Sequence, residues 1–229
     1  MNKTVIPICK RERRVGKDSE VKCYIPRLEG RIQQNVRQFF PVIFPEVKLN
    51  GKYGFINENG NEVIPINYDG AGNFSNGCAW IKLNDKYGFI DKTEKEITPV
   101  KYDDAKDFQD NRAIVKINDK YGFINQIGKE VIPIIYDQVN PFNSMSSTIV
   151  ILNGKYILID RNGKTLSKEY DYADEGVSCN CIRVRLDNKW GFIDANGEEI
   201  IPLKYDYAEI FHNCRANVTL NGKKFHIDR

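Results

Sequence analysis

The sequence has few of the residues that metal chemistry and catalysis require. It contains two histidines, His212 and His226, in 229 residues, and no Cys-x-x-Cys pair. A zinc site is not expected, because zinc needs three or four such ligands at close spacing. A phosphate-binding loop, a Rossmann glycine pattern and a zincin helix motif are also missing. His212 near Cys214 is a very weak Cys/His signal with no third group to orient the histidine. We therefore predict no cofactor, no metal and no enzymatic activity.

Long apolar runs are missing as well. No stretch approaches the roughly 20 apolar residues that a membrane-spanning helix needs, so no membrane association is expected. The first nine residues briefly resemble a secretion signal, but their apolar run is too short and a basic cluster follows at once. We predict that they belong to the mature protein and that the protein is cytoplasmic.

The cysteines give little indication of disulfide staples. They do not recur at the repeat period described below, and reduced thiols in a cytoplasmic protein explain them most simply. Cys179 and Cys181, with one residue between them, are interpreted as two thiols on one surface loop. The six cysteines are Cys9, Cys23, Cys78, Cys179, Cys181 and Cys214.

One five-residue motif recurs along most of the chain. Its leading lysines are 34, 34, 35, 34 and 34 residues apart, and so regular a period indicates a repeat architecture. The motif is Lys-Tyr-Gly-Phe-Ile at 52–56, 86–90 and 120–124, Lys-Tyr-Ile-Leu-Ile at 155–159, Lys-Trp-Gly-Phe-Ile at 189–193, and a divergent Lys-Lys-Phe-His-Ile at 223–227.

Each repeat is predicted to form three antiparallel strands. The motif is the middle strand, and its two aromatic positions share one face because strand side chains alternate. An apolar strand precedes it across a two-residue turn of Asn, Asp or Gly, residues that tolerate the positive φ angles of a tight hairpin. The third strand, such as Glu-Val-Ile-Pro-Ile at 62–66, carries a proline that cannot donate to a ladder, so it should lie at an edge or end there. The six turns are Asn50-Gly51, Asn84-Asp85, Asn118-Asp119, Asn153-Gly154, Asp187-Asn188 and Asn221-Gly222.

A connector joins each repeat to the next. It begins with Tyr-Asp and carries a phenylalanine six residues beyond the tyrosine, except in the fourth repeat, where Gly176 takes that place. Glycine in mid-strand costs stability, so its recurrence in the motif indicates close packing, and we infer that a connector phenylalanine covers it. The fourth repeat lacks both features, since Ile157 replaces its glycine. The aspartates are expected to accept hydrogen bonds from connector N–H groups, as Asx turns do; they are Asp69, Asp103, Asp137, Asp171 and Asp206.

These repeats resemble the bacterial WG-repeat family, also called KWG repeats. The resemblance rests on Lys189-Trp190-Gly191-Phe192-Ile193-Asp194 with the following Asn-Gly and Ile-Ile-Pro, and it extends over roughly residues 46–229. Tyrosine stands in four motifs where the family often has tryptophan, which keeps a ring on the same face. The resemblance implies a bacterial or phage origin and a non-catalytic repeat domain. It provides no catalytic residues to transfer.

The two ends of the sequence suggest how the array closes. The last repeat contains only two strands, and residues 4–8 read Thr-Val-Ile-Pro-Ile, like a third strand. We therefore predict an all-β fold whose residues 1–8 complete the final repeat and close a six-unit ring resembling a β-propeller. The alternative is an open superhelical array of β repeats. Residues 45–229 form the repeats, and residues 9–44 form an insert with a short amphipathic helix between residues 27 and 40.

The basic N-terminal segment is a candidate for binding an anionic partner, and the alternative interpretation is a solvated basic loop. Residues 1–47 hold ten Lys/Arg against five Asp/Glu, a net charge of +5, which leaves −2 for the remainder of a chain of net charge +3. The leading hypothesis is a non-enzymatic scaffold that presents a rigid β surface to a protein partner. The second is a nucleic-acid or ribonucleoprotein binder acting through the insert. Its candidate binding residues are Lys10, Arg11, Arg13, Arg14 and Lys17.

Overall fold

The computed structural model describes residues 8–9, 23–24, 44–57, 60–142, 145–175 and 178–229, and these residues form β-sheets. The first is a small antiparallel pair of β1 (Ile8–Cys9) and β2 (Cys23–Tyr24). The predicted helix between residues 27 and 40 and most of the predicted insert lie outside the described residues. No helix among the described residues is long and apolar enough to cross a membrane.

Six small antiparallel sheets then follow one another along the chain, and we call them units 1 to 6. Within each unit the strands are neighbours in sequence order. Unit 1 contains β3 (Glu46–Leu49), β4 (Lys52–Ile56) and β5 (Glu62–Tyr68); unit 2 contains β6 (Gly70–Ala71), β7 (Cys78–Leu83), β8 (Lys86–Asp91) and β9 (Glu96–Tyr102); unit 3 contains β10 (Asp104–Ala105), β11 (Arg112–Ile117), β12 (Lys120–Asn125) and β13 (Glu130–Tyr136). Unit 4 contains β14 (Gln138–Val139), β15 (Ser147–Leu152) and β16 (Lys155–Asp160); unit 5 contains β17 (Tyr172–Ala173), β18 (Ile182–Leu186), β19 (Lys189–Ile193) and β20 (Glu199–Tyr205); unit 6 contains β21 (Tyr207–Ala208), β22 (Arg215–Leu220) and β23 (Lys223–Asp228).

Units 2, 3 and 5 have four strands, one more than the sequence predicted. The additional strand is the short one at the start of each unit, formed by connector residues directly after Tyr-Asp. In unit 3 Asp104 pairs with Lys116 and Ala105 with Val115. The alanine of this strand is buried in the core, so the connector starts as sheet and becomes a loop only afterwards.

The six predicted hairpin turns are confirmed. Both central residues of each turn have positive φ, for example 51° at Asn84 and 61° at Asp85. A second set of such turns was not predicted from the sequence. They lie in the connectors just before the hairpin strand, at Asn76-Gly77, Asp110-Asn111, Cys179-Asn180 and Asn213-Cys214.

The proline-containing third strands lie at sheet edges, as predicted, in units 1, 2, 3 and 5. Each is bulged opposite the motif glycine. In unit 3, Tyr121 of β12 pairs with Tyr136 and Phe123 pairs with Ile132. A step of two residues along β12 therefore corresponds to a step of four residues along β13. A Cβ on Gly122 would lie 2.7 Å from the carbonyl oxygens of Ile132 and Pro133.

The inference that a connector phenylalanine covers the glycine is therefore wrong. The backbone of the bulged third strand occupies that space. The connector phenylalanine instead packs on the motif phenylalanine, with ring centroids 4.7 Å apart for Phe55 and Phe74 and 5.2 Å apart for Phe89 and Phe108.

Unit 4 follows the same geometric rule. Buried Ile157 occupies the glycine position there, and its third segment forms only the isolated bridges Tyr156–Tyr170 and Ile159–Thr165. The Ser167 hydroxyl accepts the Leu158 N–H at 3.0 Å, as the Thr98 hydroxyl accepts the Phe89 N–H at 3.1 Å in unit 2. A side chain at this position thus accompanies the loss of the regular bulged strand.

Among the described residues the core is divided into five clusters, each between two consecutive units. Phe89 of unit 2 packs with Ala113 and Val115 of unit 3, whereas Ile90 on the opposite face packs with Phe55 of unit 1. Because side chains alternate between the two faces of the motif strand, the phenylalanine packs against the following unit and the isoleucine packs against the preceding unit. Sheet-on-sheet packing is what stabilises the array.

The prediction that residues 3–8 close the ring involves mostly residues that lie outside those described. Ile8 pairs with Tyr24 in the small sheet. Within the described ranges, β23 pairs with β22 on one side only, and none of the five core clusters joins unit 6 to unit 1.

Candidate partner-binding surface

The binding residues predicted from sequence cannot be placed in the fold. All five, Lys10, Arg11, Arg13, Arg14 and Lys17, lie outside the described residues. The surface considered below is therefore formed by the repeats themselves.

The repeated aspartates join neighbouring units. Asp69 accepts a hydrogen bond from Lys52 Nζ at 2.6 Å through Oδ1, and from the Asn84 N–H at 2.8 Å through Oδ2. Lys52 belongs to the same unit, whereas Asn84 begins the hairpin turn of the next unit. The structural interpretation is confirmed, but the N–H donors lie in the following hairpin turn and not in the connector. The other four aspartates repeat the pattern: Asp103, Asp137, Asp171 and Asp206.

These contacts favour the charged carboxylates. The lysine hydrogen bond first, and the turn N–H after it, hold the pKa of all five carboxyls below 3.8. The residues that do form Asx turns are those after the motif. Asp91 Oδ1, for example, accepts the N–H groups of Thr93 at 2.8 Å and Lys95 at 3.0 Å.

The weak Cys/His signal gains no support from the geometry. Cys214 Sγ contacts Cys179 Sγ at 2.8 Å. His212 forms a backbone bridge with Arg215 across the connector turn. Within the part of the chain that the structure describes, no group of three or more His, Cys, Asp or Glu residues is arranged to hold a metal ion.

The first aromatic ring of the motif, a tyrosine or Trp190, is half-buried, whereas the motif phenylalanine is fully buried. A cation from the paired hairpin strand lies over the ring: Lys48 Nζ is 4.7 Å from the Tyr53 centroid and Lys82 Nζ is 5.5 Å from that of Tyr87. In unit 5 the cations are arginines and the ring is Trp190. Each ring and its cation together form an amphipathic patch of the surface. Such a patch is suited to contact with another molecule.

A continuous row of aromatic rings crosses units 4 to 6. We call it the aromatic row and define it as Tyr156, Tyr172, Trp190 and Tyr207. Successive ring centroids are 5.5, 5.5 and 6.2 Å apart. Tyr207 at its end is 49% exposed.

Two arginines on β18 border the aromatic row. The Arg183 guanidinium is 4.7 Å from the Trp190 ring, and that of Arg185 is 5.4 Å from it. Arg183 is held by a two-point ion pair with Asp174, at 3.0 and 3.1 Å, in which both side chains are only about 15% exposed. The Tyr172 hydroxyl also donates to Asp174 at 2.8 Å, which together with burial raises the pKa of Tyr172 above 10.0. The row is therefore rigid at its centre.

Apolar exposure is concentrated at the same end of the described chain. Of the six large hydrophobic side chains that are exposed among the described residues, four lie in units 5 and 6: Ile200, Tyr207, Ile210 and Phe225. A pocket of about 310 Å³ opens between these units and is lined by Asp174, Arg183, Ile210 and Phe211, among others.

The aromatic row was not predicted from the sequence. Its motif members recur in the repeat, but Tyr172 and Tyr207 belong to the short connector strand, which was not predicted either. The available signal was a departure from the repeat. The position that holds Tyr172 and Tyr207 is Gly70, Asp104 and Gln138 in units 2, 3 and 4.

Comparison with known proteins identifies the repeats. The family described as WG containing repeat matches five consecutive segments, residues 53–87, 87–121, 121–156, 158–190 and 190–223. The chain therefore belongs to the WG-repeat family. No curated protein matches it in sequence.

Solved structures similar in fold include β-propellers. Hsv2 from Kluyveromyces lactis is 4% identical with a TM-score of 0.35, covering 66% of this chain and 57% of its own. The WD40 domain of SCAP from fission yeast is 10% identical with a TM-score of 0.29, covering 77% of this chain and 62% of its own. A eukaryotic initiation factor is 10% identical with a TM-score of 0.42, covering 79% and 58% respectively. The chain thus spans a little over half of the Hsv2 structure.

Proposed function

We propose that this chain is a non-enzymatic scaffold that binds a protein partner through the aromatic row of units 4 to 6. The observation that carries the proposal is the row itself, with the Arg183 and Arg185 guanidinium groups beside Trp190. Tyrosine, tryptophan and arginine are the residues enriched at the energetic centres of protein interfaces. Aromatic rings also lose little conformational entropy on binding.

Rigidity and exposure both support this assignment. The Arg183–Asp174 pair fixes the centre of the row before a partner arrives, which lowers the entropic cost of association. Ile210 lines a pocket with Arg183, and Phe225 lines another with Tyr207, so both add exposed apolar area beside the row. Among the described residues of units 1 to 3, no ring connects the motif tyrosines of successive units, because Gly70 and Asp104 occupy the equivalent positions; the Trp80 ring contacts Tyr87 at 5.3 Å within unit 2.

The test is an affinity pulldown from the native host, analysed by mass spectrometry, with variants chosen from the repeat itself. Tyr172→Gln and Tyr207→Gln place in units 5 and 6 the glutamine that unit 4 carries at Gln138, so the sheet should tolerate them. We expect each variant to capture at least tenfold less partner than the unmodified protein. This loss corresponds to about 1.4 kcal/mol or more of binding free energy, as at interface hot spots.

The matched control is Tyr53→Phe, which keeps a ring on the motif position of unit 1, outside the row. It should capture the partner as well as the unmodified protein does. Unchanged capture by both glutamine variants, with normal folding by circular dichroism, would refute the aromatic row as the binding surface.

Binding of nucleic acid is the second candidate function, and the charge of the N-terminal segment favours it. Residues 1–47 carry the net +5 that phosphate contacts require, with Lys10, Arg11, Arg13, Arg14 and Lys17 as the proposed contacts. Reversing the charge at Arg11, Arg13 and Arg14 should then abolish binding, which should also fall steeply with added salt. Capture that survives nuclease treatment and 0.5 M salt would exclude this candidate.

We also propose that residues 3–8 add a strand to β23 and close the array into a ring. The far edge of β23 has no partner strand among the described residues. Phe225 occupies the glycine position of this motif and pairs with Val218. A tightly bulged strand would clash with it, so the added strand should form a few bridges, as the third segment of unit 4 does around Ile157.

A further inference from the structure

Three cysteines of neighbouring units meet at the junction of units 5 and 6. Cys179 Sγ lies 2.8 Å from Cys214 Sγ and accepts the Cys214 backbone N–H at 3.0 Å. The third, Cys181, is buried and accepts from Arg229 Nη1 at 3.1 Å. All three are free thiols. Cys179 and Cys214 are 35 residues apart and occupy the first and the second position of their respective turns, so the sulfur contact joins positions that are not repeat equivalents.

The backbone gives no reason for cysteine at these two positions. Cys179 and Cys214 lie in connector turns with φ of 51° and 59°. Residues other than glycine, asparagine and aspartate rarely adopt this left-handed conformation. The equivalent turns of units 2 and 3 are Asn76-Gly77 and Asp110-Asn111, which suit it. A residue that fits its backbone poorly is often retained for a functional reason.

Units 2 and 3 show what the same junction looks like without thiols. Asn76 Nδ2 donates to Asn111 Oδ1 at 2.9 Å, again across 35 residues. These asparagines occupy the turn positions of Cys179 and Cys214. The connection between turns is thus a general feature of this array, and units 5 and 6 make it with two sulfur atoms.

We propose that Cys179 and Cys214 are a hydroperoxide-reactive pair that closes into a reversible disulfide between units 5 and 6. The Cys179 thiolate attacks the distal oxygen of the hydroperoxide and breaks the O–O bond. This gives Cys179 sulfenic acid and an alkoxide or hydroxide, which takes a proton from water. Cys214 sulfur then attacks the Cys179 sulfur, the S–O bond breaks, and the hydroxyl group leaves as water with the Cys214 proton. Two thiols are oxidised and one peroxide is reduced.

The surroundings assign the two roles. The hydrogen bond from the Cys214 thiol, with the Cys214 N–H and the charge of Arg229, lowers the pKa of Cys179 below 9.0. The same thiol hydrogen bond raises the pKa of Cys214 above 9.0. Cys179 is therefore the attacking thiolate and Cys214 the thiol that resolves the sulfenic acid. Cys214 is exposed and Cys179 half-buried, so a small peroxide has access to the pair.

The direct test is peptide mapping of the full chain. The reduced protein is treated with hydrogen peroxide, remaining thiols are alkylated, and trypsin is added without reductant. The sequence predicts peptides 169–183 and 205–215, joined by a disulfide that fragmentation assigns to Cys179 rather than Cys181. Cys214→Asn should instead leave a sulfenic acid on Cys179 that dimedone labels. A linkage through Cys181, or oxidation at Cys179 no faster than at Cys78, would overturn the proposal.

A second measurement tests whether the bond joins the two units. Oxidation should raise the melting temperature by roughly 5–15 °C, because the disulfide closes a loop of 35 residues in the unfolded chain, and dithiothreitol should reverse the rise. The double variant Cys179→Asn/Cys214→Asn restores the asparagine pair of units 2 and 3. It should melt like the reduced protein with or without peroxide. An equal rise in this variant would show that other thiols are responsible.

Discussion

The motif glycine offers the sharpest test of the packing described above. In Gly122→Val the new Cβ would lie 2.7 Å from the carbonyl oxygens of Ile132 and Pro133 and 2.8 Å from the Ile134 Cα. Ordinary contacts begin at 3.4 Å, so β13 would have to move by about 0.7 Å. All three atoms belong to backbone, which cannot rotate away as a side chain can.

The expected cost follows from that overlap. Overpacking a fitted site costs about 1–3 kcal/mol. Replacing glycine also restricts the unfolded chain, which returns about 0.4–1 kcal/mol. We therefore expect Gly122→Val to lower the free energy of unfolding by about 1–2 kcal/mol. The loss should be visible as an earlier urea midpoint and as faster hydrogen exchange in β13.

Unit 2 provides the matched control. A Cβ on Gly88 would meet the Val100 Cα and Cγ2 at 3.0 Å and the Thr98 carbonyl oxygen at 3.1 Å, and the Val100 side chain can adjust. Gly88→Val should therefore cost clearly less than Gly122→Val. Equal losses in the two variants, or an unchanged midpoint in Gly122→Val, would refute the explanation that third-strand backbone requires the glycine.

Two further predictions concern the contacts between units and the end of the array. Asp103→Asn should lower the free energy of unfolding at pH 7, because it removes the charge that pairs with Lys86. The pKa of Asp103 in the folded protein lies below 3.8, so the stability difference between the variant and the unmodified protein should disappear as the pH falls through and below that pKa. Urea denaturation across pH 2–7 measures this difference. If the difference persists unchanged at pH 2, the ion pair is not its cause. Deleting residues 1–8 should speed hydrogen exchange at Phe225 and Ile227 more than elsewhere; unchanged protection at both amides would exclude ring closure by this segment.

Local chemistry made much of the fold predictable from the sequence. Asn, Asp or Gly recurs at both central positions of each hairpin with a period of about 34 residues. These residues predict tight turns, because both central positions need positive φ. The edge position of the third strand follows from its proline. Family membership followed from the motif around Trp190. Each of these inferences depends on interactions within about 35 residues.

Candidate site residues were harder to predict because their roles depend on neighbouring units. Tyr172 and Tyr207 differ from their repeat equivalents, but only the packed sheets show that they continue a row from Tyr156 through Trp190. Cys179 and Cys214 are 35 residues apart in the sequence, and their sulfur contact requires two connector turns to meet.

The period, the hairpin turns, the order of the three main strands and the family could all be predicted from the amino-acid sequence. The contacts of each recurring residue became known from the packed sheets. The glycine faces third-strand backbone, the connector phenylalanine packs on the motif phenylalanine, and the aspartate accepts from the next unit's turn. Periodicity in the sequence shows which positions of the repeats are equivalent. A contact between units depends instead on the strand bulge and the spacing of the sheets, because these bring residues that are distant in sequence together.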